Sequence, residues 1–228
     1  KIGEAFAMKR RHFLQSTVAA AVAASLPTGK ALAAALAALA EVSGDVNAVT
    51  GGGAQITLEQ AAVKELSEAL RGRLLLPGFE GYDAARRVLN ASIDKHPALI
   101  VQPTGAADVS LAVSFARERD LLLAVKCGGH SYGGTSTCDG GMQIDLSHLR
   151  HARVDPASKT AWIGGGSLLG ELDHEAMSHG LVTTAGTVSH TGVGGLTLGG
   201  GFGRLARRYG LALDNVKAMD VVTADGQL

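Results

Sequence analysis

The sequence contains only two cysteines, Cys127 and Cys138, among its 228 residues. Two cysteines with ten residues between them do not form a zinc-binding pattern, so no metal site is expected. Two alternatives stay open for the pair. They form one disulfide in an oxidising compartment, or they are two separate small buried thiols.

The sequence also lacks an excess of charge of either sign, since 21 lysines and arginines balance 21 aspartates and glutamates. A net charge of zero gives no support for nucleic acid as a partner. Charged residues make up 18% of the chain and hydrophobic residues 46%, which disfavours general disorder and favours a packed core.

A membrane span is not expected, because Pro27, Gly29 and Lys30 interrupt the apolar stretch that begins at Val18. Residues 1–40 instead combine a basic start, a moderately apolar middle and small residues, which is typical of an export signal. The alternative is an Ala-rich amphipathic helix that stays attached.

The pair Arg10-Arg11 makes this export signal similar to a twin-arginine signal. Met8 is the expected start of translation, with residues 1–7 upstream of it, and cleavage is expected after Ala33 or Ala40. The protein is therefore expected to use the twin-arginine export machinery and to be exported, either periplasmic or secreted.

Residues 41–90 are predicted to be a spacer with short helices. Residues 41–58 contain Gly51-Gly52-Gly53 and read as spacer, while apolar spacing predicts helices over 58–70 and from Tyr82 onwards. The regular region begins near His96, with a strand over 98–102, a helix over 106–119 and a strand over 121–125. This is a βαβ unit, whose two strands should be parallel.

The remaining part of the chain predicts a mixture of strands and helices. A strand is expected at 142–146, a hairpin over 152–163, a helix over 167–179, a helical turn over 204–209, and strands at 181–184 and 218–223.

Glycine is the compositional outlier, with 31 residues, and eleven of them cluster in two segments, 126–134 and 192–203. Gly128 and Gly129 have no Cβ, so a flat or charged ligand can approach their backbone. The amides of such a turn can bind an anion, and His130 would lie at its lip. The two segments are therefore predicted to hold one dinucleotide cofactor.

Five blocks in order carry a specific resemblance, which covers roughly residues 90 to 228. The blocks are Cys127–Ser131, Trp162–Ser167, Gly186–Gly203, Tyr209–Asn215 and Val221–Gly226. They resemble the FAD-binding domain of the vanillyl-alcohol-oxidase superfamily, and within it the berberine-bridge-enzyme-like oxidoreductases, which include bacterial 6-hydroxynicotine and sugar oxidases.

The resemblance implies an α+β, two-subdomain FAD-binding domain of the vanillyl-alcohol-oxidase (PCMH) type over residues 91–228. This domain is expected to be incomplete at its C-terminus, truncated before the substrate domain. The catalytic base is expected beyond residue 228, so the catalytic residues are unknown.

The resemblance also implies which residues bind the cofactor. His130 matches the histidine that the family joins covalently to the 8α-methyl group of the flavin. Val188 stands where some members have a second linking cysteine, so only the histidyl link is expected. The expected FAD-binding residues are Lys126, Cys127, Gly128, Gly129, His130, Ser131, Thr187, Val188, Ser189, His190, Gly192, Val193, Gly194, Gly195, Leu198, Gly199, Gly200, Gly201, Val221 and Val222.

The expected function is an FAD-dependent oxidoreductase. Hydride would pass from an alcohol, sugar or amine C–H of a small-molecule substrate to the flavin, and dioxygen or another acceptor would reoxidise it. The alternatives are a non-catalytic flavin-binding module and an exported metal-binding protein built on His130, Cys127 and Cys138.

Three further groups of polar residues leave their roles open. His190 either lines the flavin face or caps the second glycine-rich segment. Asp214 and Asn215 either act in acid–base chemistry or orient a turn. The arginines Arg204, Arg207 and Arg208 either contact phosphate or form a solvated helix face.

Replacing Arg10 and Arg11 by lysine tests the export prediction. Export is expected to stop, because the arginine pair is the recognised feature of the signal. Cell fractionation followed by immunoblotting measures the location. Export at the unchanged level would contradict a twin-arginine signal.

Overall fold

The computed structural model of the protein describes residues 42–228, so the predicted export signal lies outside the described residues. Two short 3-10 turns, Leu146–His148 and Leu213–Asn215, accompany the regular elements. In chain order these elements are β1 (Val46–Val49), β2 (Gln55–Leu58), α1 (Gln60–Ala69), β3 (Arg73–Leu75), α2 (Tyr82–Arg86), β4 (Leu99–Gln102), α3 (Ala106–Glu118), β5 (Leu123–Lys126), β6 (Met142–Asp145), β7 (Ala152–Asp155), β8 (Thr160–Ile163), α4 (Leu169–Met177), α5 (Val193–Leu198) and α6 (Ala206–Tyr209).

A four-stranded sheet with the order β3-β4-β6-β5 forms the centre of the fold. Strands β4, β6 and β5 are parallel, and β3 pairs antiparallel with β4 at the edge. The predicted βαβ unit is confirmed, since β4 and β5 run in the same direction and α3 connects them. Strand β6 lies between them, however, so the two strands of the unit are not hydrogen-bonded neighbours.

Both faces of this sheet are covered, because side chains alternate along each strand. Leu74, Leu99 and Val101 lie in the larger core, which also contains residues of α1 and α3. Leu75 and Ile100 point the other way and pack against α2. Near-continuous apolar strands such as β4 are typical of a parallel sheet covered on both sides.

The spacer predicted within residues 41–90 is wrong. Strands β1 and β2 form an antiparallel hairpin, with Val46 opposite Leu58, around the turn at Gly51-Gly52-Gly53. Ala48 and Leu58 are buried in the same core as the central sheet. The glycines therefore supply a hairpin turn, and this segment is part of the folded unit.

The region after the sheet contains a second hairpin and a helix, as predicted. Strands β7 and β8 pair antiparallel, and α4 lies against β7. The left-handed backbone of Gly180 (φ +66°) follows the helix closely, as expected for a glycine that ends one.

The strands predicted at 181–184 and 218–223 do not form. A strand needs a hydrogen-bonded neighbour, and among residues 42–228 neither segment has one. Thr184 instead uses its hydroxyl, which donates to Leu211 O at 3.1 Å and accepts from Asn215 Nδ2 at 2.9 Å. The turn predicted at Asp225-Gly226 is present, since Thr223 N donates to Gln227 O at 2.8 Å.

The combination of a mostly parallel sheet, two hairpins and six helices confirms the predicted α+β class for the described part of the chain. Within residues 42–228, no helix has the length and apolar character that a membrane crossing requires.

The carboxylate of Asp108, in helix α3, connects this helix to the residues just before strand β3. Although it is 2% exposed, it accepts hydrogen bonds from the amides of Arg71 (3.0 Å), Gly72 (3.0 Å) and Thr104 (2.8 Å). The Thr104 hydroxyl adds a fourth at 3.1 Å. Burial alone would raise the pKa of Asp108, but these donors outweigh it and lower the pKa below its ordinary value.

Replacing Asp108 by Asn is expected to destabilise the protein by about 3 kcal/mol at pH 7, because buried donors lose a charged acceptor. The lowered pKa means that this stabilisation is present above the unfolded value of about 4 and is lost at lower pH. Urea unfolding at pH 7 and pH 3 measures it, with the exposed Glu65→Gln as control. An equal difference between wild type and variant at both pH values would contradict the assignment.

Candidate functional site

The two glycine-rich segments, which are predicted to hold one cofactor, meet through their backbones. A Cβ on Gly128 would overlap the backbone nitrogen of Gly192 and lie 2.8 Å from its Cα. A Cβ on Gly192 would in turn overlap the sulfur of Cys127. Contacts this short exclude any side chain at either position, so glycine is required at both for the segments to touch.

A third glycine-rich segment, Gly164–Gly166, joins this contact and was missing from the predicted site. A Cβ on Gly194 would lie 2.7 Å from Gly165 O. Ser167 follows the segment and is fully buried; its carbonyl accepts from Val193 N at 2.8 Å. Its hydroxyl joins both backbone groups of His151. The run of three glycines after Trp162-Ile163 is the sequence feature that could have identified this segment as part of the site.

The first segment presents backbone N–H groups that the protein does not use. Within residues 42–228, the amides of Gly129, His130 and Ser131 donate to no protein acceptor. Gly129 is buried with a left-handed backbone (φ +70°), a conformation that turns successive amides toward one side. Since buried amides normally find a partner, these donors fit an anionic group such as a pyrophosphate.

His130 and His190, both predicted site residues, form a direct pair. His130 Nε2 lies 2.7 Å from His190 Nδ1, and the ring centroids are 4.7 Å apart at an interplanar angle of 42°. The other ring nitrogen of His130, Nδ1, lies 3.5 Å from Thr191 Oγ1. Neither alternative for His190 predicted this hydrogen bond.

The environment favours the uncharged form of His130. Partial burial lowers the pKa of His130 below its ordinary value, and the facing imidazole of His190 lowers it further. Burial likewise raises the pKa of the Cys127 thiol, although the amides of Gly194, Gly195 and Gly128 oppose the shift. Both side chains are therefore neutral at pH 7.

The loop that carries His190 is held by the start of α4. Leu169 N donates to Thr191 O at 2.9 Å, and Gly170 N donates to Ser189 O at 2.7 Å. Thr191 N closes a turn on Val188 O at 3.0 Å. The predicted residues Thr187, Val188 and Ser189 belong to this exposed loop, beside the pair of histidines.

The side chain of Lys126 does not face the glycine-rich cradle. It is 7% exposed, and its ammonium donates to the carbonyls of Ala85 and Arg87 and lies 3.5 Å from Asp145 Oδ2. Alternation along β5 places Lys126 on the same face as buried Ala124. A side-chain contact of Lys126 with the cofactor is therefore wrong, and its ammonium instead holds the chain beside the turn.

The end of the second glycine-rich segment lies against the chain that follows it. Gly200 and Gly201 both have left-handed backbones, and their carbonyls accept from Leu213 N at 3.1 Å and Ala212 N at 2.9 Å. Leu198 is 75% exposed. The structure thus separates these residues from the Gly128 contact by the length of α5.

Binding of the cofactor by Val221 and Val222 stays a prediction. The segment just after them is joined to α3, through hydrogen bonds from Ser110 Oγ to Gly226 O and from Arg117 to Asp225 O.

Asp214 and Asn215 orient a turn, and an acid–base role has no support. Asp214 Oδ2 accepts from Leu211 N at 2.8 Å, and Asn215 donates to Tyr209 O, Leu211 O and the Thr184 hydroxyl. The arginines Arg204, Arg207 and Arg208 are exposed on α6 and its approach, which agrees with a solvated face.

Cys127 and Cys138 are separate thiols, which settles their two alternatives in favour of the unbonded state. Cys138 is buried, and burial raises its pKa to about 11. Residues 42–228 contain no group of three or more histidine, cysteine or acidic side chains placed to hold a metal ion. The proposed metal site on His130, Cys127 and Cys138 therefore has no support in this part of the chain.

Residues 97–228, more than half of the chain, match the FAD binding domain family. The chain belongs to this family. An FAD-linked oxidoreductase of Dictyostelium discoideum is 41% identical over 167 residues, which cover 73% of this chain and 36% of that protein.

Solved structures agree with the family assignment. The 6-hydroxy-D-nicotine oxidase of Arthrobacter nicotinovorans matches with a TM-score of 0.68 and 36% identity, over 69% of this chain and 35% of that one. The berberine-bridge-enzyme-like protein 1 of Physcomitrella patens matches with a TM-score of 0.67 and 32% identity, over 72% and 36%.

These relatives confirm the predicted berberine-bridge-enzyme-like resemblance and FAD as the cofactor of the domain. The chain spans about a third of the length of the relatives it matches.

Replacing Gly128 by Ala tests the cradle. The added Cβ would push Gly128 and Gly192 apart, and overpacking of about 1–3 kcal/mol corresponds to a roughly tenfold loss of FAD affinity or more. The ratio of flavin to protein absorbance measures the loss.

Gly133→Ala is the matched control in the same turn, because a Cβ there meets no atom within 4 Å. Equal flavin content in the two variants would contradict the proposed role of the Gly128–Gly192 contact.

Proposed function

We propose that the chain forms the FAD-binding part of an oxidoreductase that takes hydride from a small-molecule substrate. One observation carries this proposal: the amides of Gly129, His130 and Ser131, which donate to no acceptor within residues 42–228, lie beside the backbone contact of Gly128 with Gly192. The family match supports the cofactor. Its relatives include proteins described as FAD-linked oxidoreductases and oxidases, which support the class of reaction.

Bound FAD would supply the acceptor for hydride from a C–H bond next to a hydroxyl or amine, with dioxygen or another acceptor taking the electrons onward. The residues of this chain bind and orient it. The amides of the 126–131 turn hold the pyrophosphate, and the absence of Cβ atoms at Gly128 and Gly192 lets the two glycine-rich segments meet beside it.

His130 is proposed to carry the covalent link to the 8α-methyl group of the flavin. Its position between the two glycine-rich segments supports this, as does its lowered pKa, since a neutral imidazole has a lone pair with which to form a bond. Val188 lies in the exposed loop beside His190 and offers no thiol, so we propose a single link.

The part of the protein that binds substrate is proposed to lie outside residues 42–228, because no described side chain is assigned as a catalytic base. Export by the twin-arginine route is proposed from the residues of the leader alone. A non-catalytic flavin-binding module remains the second candidate, and a panel of alcohols, sugars and amines that all fail to reduce the bound flavin would favour it.

Acid denaturation of the flavin-loaded protein tests the central proposal. Flavin absorbance and fluorescence are expected to stay with the washed pellet, and peptide mapping is expected to place them on the peptide that contains His130. Flavin that washes out completely would overturn the covalent link. The absence of flavin from folded protein would overturn the function.

Replacing His130 by Ala is expected to abolish acid-stable flavin while native protein still binds FAD, because the turn amides and the glycine contact remain. His179→Ala, an exposed histidine after α4, is the matched control. Acid-stable flavin in His130→Ala at the wild-type level would contradict the assignment.

A further inference from the structure

We propose that His190 is a positioning residue for His130: it accepts the proton of His130 Nε2 and so leaves the Nδ1 lone pair of His130 free to react. The inference rests on the proposed covalent link and names a residue that assists it. The hydrogen bond between the two rings, at 2.7 Å, is the observation that carries it.

Only one proton fits between two imidazole nitrogens at this distance, since each neutral ring has one donor and one acceptor nitrogen. If His190 Nδ1 donated, His130 Nε2 would accept and its Nδ1 would carry the remaining proton. Neither nitrogen of His130 would then have a free lone pair. If His130 Nε2 donates, Nδ1 is free, and covalent attachment requires this second arrangement.

The surroundings of His130 Nδ1 are consistent with a free nitrogen. The Thr191 hydroxyl lies 3.5 Å from it, the long limit for a hydrogen bond. His190 is also the only described ionisable group whose charge acts on His130. No carboxylate competes with His190 for the proton.

The backbone fixes both partners independently. The first turn of α4 holds the loop of His190 through Thr191 O and Ser189 O, and Leu89 N donates to Gly129 O at 2.9 Å beside His130. The backbone segments that carry His130 and His190 are therefore each held by hydrogen bonds outside the pair. These bonds position the two rings for their 2.7 Å contact.

The covalent step balances with His190 in this role. A bond forms between His130 Nδ1 and the 8α-methyl carbon, and that carbon loses one proton. The electron pair of the broken C–H bond enters the flavin ring. His130 Nε2 passes its proton to His190 Nδ1, so the linked imidazole ends neutral. Dioxygen then accepts two electrons and two protons and leaves as hydrogen peroxide.

Two variants test whether His190 acts as an acceptor for His130 or only fills the space beside it. His190→Leu removes the acceptor, whereas His190→Asn keeps an oxygen near the position of Nδ1. FAD added to flavin-free protein is expected to attach to the Leu variant about a hundredfold more slowly, the size of a lost proton-transfer partner. The Asn variant still accepts the hydrogen bond but takes up no proton, so its rate is expected to lie between those of the Leu variant and the wild type. The exposed His179→Leu serves as control.

Each rate is the acid-stable flavin formed over time, divided by the flavin bound before denaturation, so a variant that merely binds less FAD is recognised. Attachment by His190→Leu at the wild-type rate would overturn the inference. If His190→Leu fails to fold, as judged by circular dichroism, the Asn variant and the following measurement decide.

Nitrogen-15 NMR of the flavin-free protein tests the pair without any covalent chemistry. His130 is expected to carry its proton on Nε2 in the wild type and to show a mixture of both forms in His190→Leu, which has no acceptor at this position. A wild-type protein in which His130 carries its proton on Nδ1 would overturn the inference. Flavin that washes out of a wild type with protonated Nε2 would overturn the covalent link, although the hydrogen bond from His130 to His190 would stand.

Discussion

The backbone contact between Gly128 and Gly192 is the constraint on which the rest of the site depends. It brings together two segments 64 residues apart in sequence, and a single methyl group on either side would separate them. The Gly164–Gly166 segment, the Cys127 thiol and the His190 loop all pack around this contact. The positions of the functional residues therefore all depend on one contact, which is made by the main chain and not by side chains.

The pairing of His130 with His190 follows from the same contact. His190 precedes Gly192 by two residues, and His130 follows Gly128 by two, so closing the glycines also brings the rings together. Partial burial and the neighbouring ring then keep His130 uncharged. The position of His130 and its uncharged state therefore both depend on the contact between Gly128 and Gly192. A substitution at either glycine is expected to change the reactivity of His130.

Sequence patterns predicted the parts of the fold that depend on local interactions. Strands β4, β5 and β6, the β7–β8 hairpin and helices α1, α3 and α4 have the expected periodicity, and their bounds agree closely. The insertion of β6 between β4 and β5 could not be predicted, because strand order depends on long-range packing. Strands at 181–184 and 218–223 were wrong because apolar composition alone does not supply a pairing partner.

The site was predicted in outline and corrected in its side chains. Glycine clusters identified the segments that meet, since two backbones can approach this closely only where the residues have no Cβ. The direction of the Lys126 side chain could not be predicted, because it depends on the alternation along β5 and on the buried carboxylate of Asp145, which lies on another strand. The pairing of His190 left no periodic signal, because it arises from two turns that meet in space.

The boundary of the family match has a consequence for how the chain acquires its structure. The matched segment begins at residue 97, yet the carbonyls that hold Lys126, the amide that holds Gly129 O and two of the donors to Asp108 come from residues 71–89. The segment that matches the family is thus smaller than the folded unit. Because such distant contacts are slow to form, the cofactor cradle should be among the last parts of the molecule to order during folding, after the segment that precedes residue 97 has docked.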